Sequence, residues 1–149
     1  MVSPRFAAMQ RESIRQEKRV KFSVLAMPAL TLLATFGGAA SAGDPAAGEA
    51  AFRACRTCHQ IGDKARNFVG PELNGVVGRK AGTIPGYNYS DANRHSGIVW
   101  DEAALTKFLH KPREVVPGTK MAFPGFDSDS DIANVIAYLK QFGPDGKKP

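Results

Sequence analysis

The sequence predicts an all-α domain: three main helices, one or two short ones, and long loops wrapped round a buried, covalently held group. Three observations lead there. Ile132, Val135, Ile136 and Leu139 fall at i, i+3, i+4 and i+7, which is one face of a helix. Residues 62–97 are rich in glycine and proline and read as loop, and so long an irregular region in a compact domain needs something to organise it. Cys55-Arg56-Thr57-Cys58-His59 has the C-x-x-C-H spacing by which c-type haem is attached.

That motif does three jobs in five residues. Two thiols three positions apart on one helical turn can each form a thioether to a porphyrin vinyl group. The next residue offers an imidazole to the iron from the same side. Other uses of C-x-x-C fail on context. A zinc site needs two more ligands nearby, yet the chain has two cysteines and three histidines, and His95 and His110 are far along it. A thioredoxin-like dithiol belongs beside a βαβ pattern, and no alternating strand pattern surrounds this stretch. A disulfide within the motif would close a very short loop and leave His59 without a purpose. One covalent haem c, held through Cys55 and Cys58 with His59 as iron ligand, is the expectation.

The 149 residues suit one domain, and the first 42 read as a leader outside it. Arg5, Arg11, Arg15, Lys18, Arg19 and Lys21 form a basic n-region, 22–36 is an uncharged, mostly apolar run, and Ala40-Ser41-Ala42 is a small-x-small cleavage site. The apolar run is short for a membrane span of about 20 residues, and Pro28 interrupts it. A secretory signal peptide over 1–42 is expected, with an uncleaved membrane tether as the alternative. Cleavage after Ala42 would leave residues 43–149. The net charge of +6 then divides into +4 from the leader, with six basic and two acidic residues, and +2 from the rest, with fourteen and twelve. No basic tract interleaved with aromatics points to nucleic acid.

The first helix starts at Asp44-Pro45, with Asp44 as N-cap and Pro45 at the first helical position. Gly48, Phe52 and Cys55 recur at helical spacing, so this helix runs into the haem motif. Gly48 would normally weaken it, and its expected use is close approach of another helix. Residues 60–90 are read as loop, with turn signals at Gly70-Pro71-Glu72-Leu73, Gly78-Arg79-Lys80 and Ile84-Pro85-Gly86. Tyr87, Tyr89 and Trp100 are aromatics with polar handles, suited to a buried haem propionate, and Arg79 could add charge.

Ser90 to Asn93 could cap a short helix. Asp101 caps a clearer one, Glu102–His110, with Leu105, Phe108 and Leu109 on its apolar side and Lys111-Pro112 ending it. Protonated His110 would suit the helix C-terminus and is preferred in that role to an iron ligand. Pro117-Gly118-Thr119-Lys120-Met121 is irregular and carries the one methionine outside the leader. Its thioether is a candidate second axial ligand, which would raise the potential, although methionine is more often a core filler. The last helix follows an acidic run, with Ser130 as the expected cap. Phe142-Gly143-Pro144 closes it, and the final five residues are expected to fray.

With these residues in place, the chain resembles a class I cytochrome c of the soluble mitochondrial and bacterial type. The likeness covers nearly all of 43–142. It rests on Cys55 to His59, Gly70-Pro71-Glu72-Leu73, Gly78-Arg79-Lys80, Tyr87 to Asn93, Pro117 to Met121 and Ile136 to Lys140. The resemblance implies the cytochrome c fold, with Cys55 and Cys58 holding haem, and His59 and Met121 on the iron. It implies that the Pro71 carbonyl orients His59, that Arg79, Tyr89 and Trp100 sit at the propionates, and that Asn93 and Thr119 bound a polar pocket near Met121. Gly48 and Phe52 would pack on Tyr138.

Three departures stand out. Phe108 replaces a tyrosine that the family often places near the methionine sulfur. Ala54 and Phe68 occupy two places of the mitochondrial lysine rim. Asp127 and Asp129 replace part of a lysine run, while Arg66, Lys111, Arg113 and Lys120 remain, so electrostatic docking should be weaker. The implied function is a monomeric, periplasmic one-electron carrier rather than an enzyme. It would run between a quinol–cytochrome oxidoreductase and a terminal oxidase or photosynthetic reaction centre, with no nucleic-acid partner. A haem enzyme or small-ligand sensor would need an open iron position, which Met121 opposes.

Overall fold

The computed structural model describes residues 42–149. The leader expected over 1–42 lies, apart from Ala42, outside the described residues. Among the described residues six helices follow in order: α1 Pro45–Ala51, α2 Arg53–Arg56, α3 Asp91–His95, α4 Glu102–His110, α5 Pro112–Val115 and α6 Asp129–Leu139. The all-α expectation holds. Among the described residues the sole strand-like pairing is one antiparallel bridge between Lys80 and Val99.

The caps explain where the helices start. The Asp44 side chain accepts from Ala46 N–H at 2.8 Å, and Pro45 opens α1. The single helix expected to reach Cys55 tightens at Phe52, whose carbonyl accepts from both Cys55 N–H (2.8 Å) and Arg56 N–H (3.2 Å). Phe52 keeps right-handed backbone angles, so α1 and α2 follow one another with little break. Asp101 caps α4 through Ala104 N–H at 2.7 Å. Pro112 ends α4 and also opens α5, a short helix absent from the sequence reading, because proline suits a first helical turn.

Two expectations are corrected at the C-terminal end. The cap of α6 is Ser128, not Ser130. Ser128 Oγ accepts from Asp131 N–H at 3.2 Å, the three-residue reach of a capping side chain, while the Ser130 hydroxyl pairs with that of Ser128. Nor does the tail fray at once. Gly143 N–H donates to the Lys147 carbonyl at 3.0 Å, and Lys148 Nζ sits 5.1 Å from the centre of the Phe142 ring. These contacts give the folded-back tail a hydrogen bond and a cation–π partner.

The core forms where α1 crosses α6. Phe52, Ile132 and Val135 are each 1 % exposed, and each such side chain contributes about 1.5–3 kcal/mol by leaving water. The Phe52 and Tyr138 rings meet with centroids 5.3 Å apart. Gly48 is buried at the crossing, and a Cβ there would run into the Asn134 carbonyl of α6. The close approach expected of Gly48 is thus present, as is the contact of Phe52 with Tyr138. α4 lies against α6 and adds Leu105, Phe108 and Leu109 to the same core.

Gly48→Ala should lower stability despite a helix-propensity gain of about 1 kcal/mol. Overpacking of a tight core costs about 1–3 kcal/mol, and the obstructing atom is backbone. A lower denaturant midpoint at unchanged slope is the expected result.

Candidate haem-binding site

The crossing helices leave the interior open on one side. A cavity of about 1020 Å³, counted out to its mouth, lies between the Cys55–His59 turn and the segment carrying Met121. Its wall is mainly apolar, with Val76, Leu105, Leu109, Val135 and Leu139 from α4, α6 and the loops. All ten site residues singled out in the sequence line it.

The proximal side is built by local geometry. Cys58 N–H and His59 N–H both donate to the Cys55 carbonyl, at 3.0 and 2.9 Å. This turn brings both cysteines and the imidazole to the cavity. The cysteines are free thiols, not bonded to each other. Burial, followed by the neighbouring Cys58, pushes the Cys55 thiol up to about 11. His59 Nδ1 lies 2.7 Å from the Pro71 carbonyl. A carbonyl can only accept, so Nδ1 carries the proton and Nε2 keeps its lone pair. Burial pushes the His59 pKa down, against the opposing effect of the Pro71 bond. A neutral imidazole with a free Nε2 lone pair is the form a metal needs.

Gly70 makes this arrangement possible. A Cβ at that position would collide with the His59 ring. Gly70 N–H donates to the Cys58 carbonyl at 2.8 Å, and Leu73 N–H donates to the Gln60 carbonyl at 2.9 Å. Those two bonds lash the loop on either side of Pro71.

Met121, half-buried, lines the same cavity. Its N–H donates to Thr119 Oγ1 (3.2 Å), Thr119 Oγ1 donates to Asn93 Oδ1 (3.0 Å), and Ser90 Oγ donates to that same oxygen (2.9 Å). Ser90 is also the N-cap of α3. The methionine segment is thereby wired to a helix start through a chain of side chains.

The third region surrounds Arg79. Its Nη1 donates to the Asn74 carbonyl at 2.6 Å and its Nη2 to the Glu72 carbonyl at 3.3 Å. Glu72 Oε1 lies 3.9 Å from Nη1, and both side chains are 18 % exposed. Burial pulls the Arg79 pKa down, opposed by Tyr89 and then Glu72. Burial likewise raises Tyr89. Trp100 is buried, its ring 4.7 Å from that of Phe108.

His110 stands apart from the cavity. Its Nδ1 is 3.0 Å from the Phe126 carbonyl and its Nε2 2.6 Å from Asp129. The preference for a structural role over iron ligation agrees with that placement. Sequence reasoning missed Gly70 against the imidazole, Ser90 in the polar chain, and Glu72 and Asn74 around Arg79. The Gly70-Pro71 turn signal was visible, but nothing in it shows that the glycine faces a ring.

The donor set fits a covalent haem: two free thiols, one unprotonated imidazole nitrogen and one thioether converge on an apolar slot, with Arg79 and two buried tyrosine and tryptophan side chains on its wall.

Comparison with known proteins agrees. The family model described as Cytochrome c matches residues 45–143. Cytochrome c-554 of Methylosinus trichosporium is 57 % identical over 114 residues, covering 76 % of this chain and 86 % of that protein. Cytochrome c2 of Rhodoblastus acidophilus is 53 % identical over 107 residues, covering 72 % of this chain and all of the relative. Among solved structures, cytochrome cH from Methylobacterium extorquens aligns at a TM-score of 0.63 with 50 % identity, over 66 % of this chain and 98 % of that one. The chain therefore belongs to the cytochrome c family, and is an electron carrier that binds haem c covalently.

Proposed function

We propose that the protein is a periplasmic shuttle whose haem iron is held between His59 and Met121. In this reading it takes single electrons from a quinol–cytochrome oxidoreductase and delivers them to a terminal oxidase or photosynthetic reaction centre. The observation that carries the reading is the presence of two donors in the lining of one cavity: His59, whose Nε2 keeps a lone pair, and the Met121 thioether. The bound haem supplies the one-electron couple. The protein contributes the rest. Cys55 and Cys58 tether the ring, and the Pro71 carbonyl orients His59. The Thr119–Asn93–Ser90 chain positions the segment of Met121. Arg79, Tyr89 and Trp100, all on the cavity wall, would meet the propionates with charge and polar edges.

With His59 and Met121 both holding the group, no open position would remain for a substrate, which favours a carrier over an oxygen- or peroxide-handling enzyme. The location is supported by the order of basic segment, apolar run and Ala40-Ser41-Ala42 in the leader. The small surplus of basic over acidic residues after Ala42 suits brief, weakly steered encounters with membrane complexes. A monomer suits a diffusing shuttle.

Protein matured in a haem-attaching periplasm should gain the mass of one haem, start at Gly43 and show a low-spin spectrum with a sulfur-to-iron band when oxidised. A start within the leader would instead support a membrane tether. Met121→Leu, a volume-conserving change that costs under about 1.5 kcal/mol in packing, should abolish that band and open the reduced iron to rapid CO binding. Retention of the band would place another ligand on the iron. Gly70→Ala should displace His59 and weaken haem ligation, seen as a mixed-spin spectrum, with the thioether-linked mass unchanged.

A further inference from the structure

We propose that Glu72 is a positioning residue for electron transfer: its carboxylate holds the Arg79 guanidinium from behind and lowers the reduction potential of the bound haem. The inference rests on the cavity being a haem site ligated as above.

Glu72 is fixed by four contacts. Its Oε2 accepts from Asn74 N–H at 2.6 Å, and its Oε1 lies 3.9 Å from Arg79 Nη1. Its own N–H donates to Asn67 Oδ1 at 3.1 Å, and its carbonyl accepts from Arg79 Nη2 at 3.3 Å. Asn67 is tied in turn, donating from Nδ2 to the Pro85 carbonyl at 2.9 Å. The charge is therefore not free to swing into solvent, as a surface glutamate does. Its low exposure matches that of Arg79, so both charges act through a medium less polarisable than water.

The sign follows from electrostatics. Reduction places an electron at the centre of the cavity. Arg79 on the cavity wall favours that electron, and a carboxylate opposes it. Two opposite charges 3.9 Å apart largely cancel toward any charge several times further away. Glu72 thus offsets the pull that Arg79 would otherwise exert. Together with two backbone carbonyls it also holds the guanidinium in one place on the cavity wall.

The test is redox titration of the haem-loaded mature protein beside two variants. Glu72→Gln keeps the length of the side chain and an oxygen for Asn74 N–H, and removes the charge. Its midpoint potential should move upward while the low-spin spectrum and sulfur-to-iron band stay as in the parent. Glu72→Asp keeps the charge and should stay close to the parental potential. An unchanged potential in Glu72→Gln overturns the proposal. So does an equal rise in Glu72→Asp, or a Glu72→Gln protein that loses the band or fails to load haem, since either makes Glu72 a packing residue. A parent protein without the low-spin spectrum would instead refute the assignment of the ligands.

Discussion

The hydrogen bond between His59 Nδ1 and the Pro71 carbonyl, 2.7 Å long, is the contact on which the cavity depends. It joins the end of the first helical segment to a loop that has no regular structure of its own. A carbonyl accepts only, so the bond selects one tautomer and leaves the other ring nitrogen bare. The loop cannot drift away, because backbone bonds from Gly70 and Leu73 return to Cys58 and Gln60. Gly70 must stay without a side chain, since the ring occupies the space where a Cβ would go.

The segment of Met121 is secured by a different device. Met121 sits in an irregular segment, where no helix or ladder fixes the backbone. Its place is set by three successive hydrogen bonds to Thr119, Asn93 and Ser90. Lys120 adds a tie to the Asn88 carbonyl at 3.2 Å, and Phe126 N–H returns the segment to the Leu109 carbonyl at 2.8 Å. Donors on both walls are thus held by independent networks. A change of one charge on a group held between them would meet a framework that is already arranged, which would keep reorganisation small.

Much of this was readable from the chain. Local signals with a single physical meaning transferred well: Asp44 and Asp101 as caps, the apolar faces of α4 and α6, and the C-x-x-C-H turn. The errors fell where two residues could fill one role, as at Ser128 and Ser130, or where a contact joins distant stretches. Residues 60–90 show the difficulty. Turn residues mark where the chain bends, but not that Glu72 and Asn74 would close round Arg79, or that Gly70 would face an imidazole. Those partners are set by how the loops settle against the helices, and a spacing pattern along one chain does not encode that. Fold class was legible because it depends on periodicity, and the details of the site less so because they depend on tertiary approach.

The folded-back C-terminus bears on how the molecule comes apart. Gly75 N–H donates to the Phe142 carbonyl at 3.1 Å, and Gly146 is packed so closely against Gly62 and Asn74 that a methyl group would not fit. Asn74 also closes on Gly62 through its side-chain oxygen and nitrogen, at 2.8 and 3.0 Å. The loop after the cysteines, the arginine knot and the last residues of the chain therefore interlock. Such a latch ties the loops beside His59 to the end of the final helix, so that opening either one has to break bonds to the other.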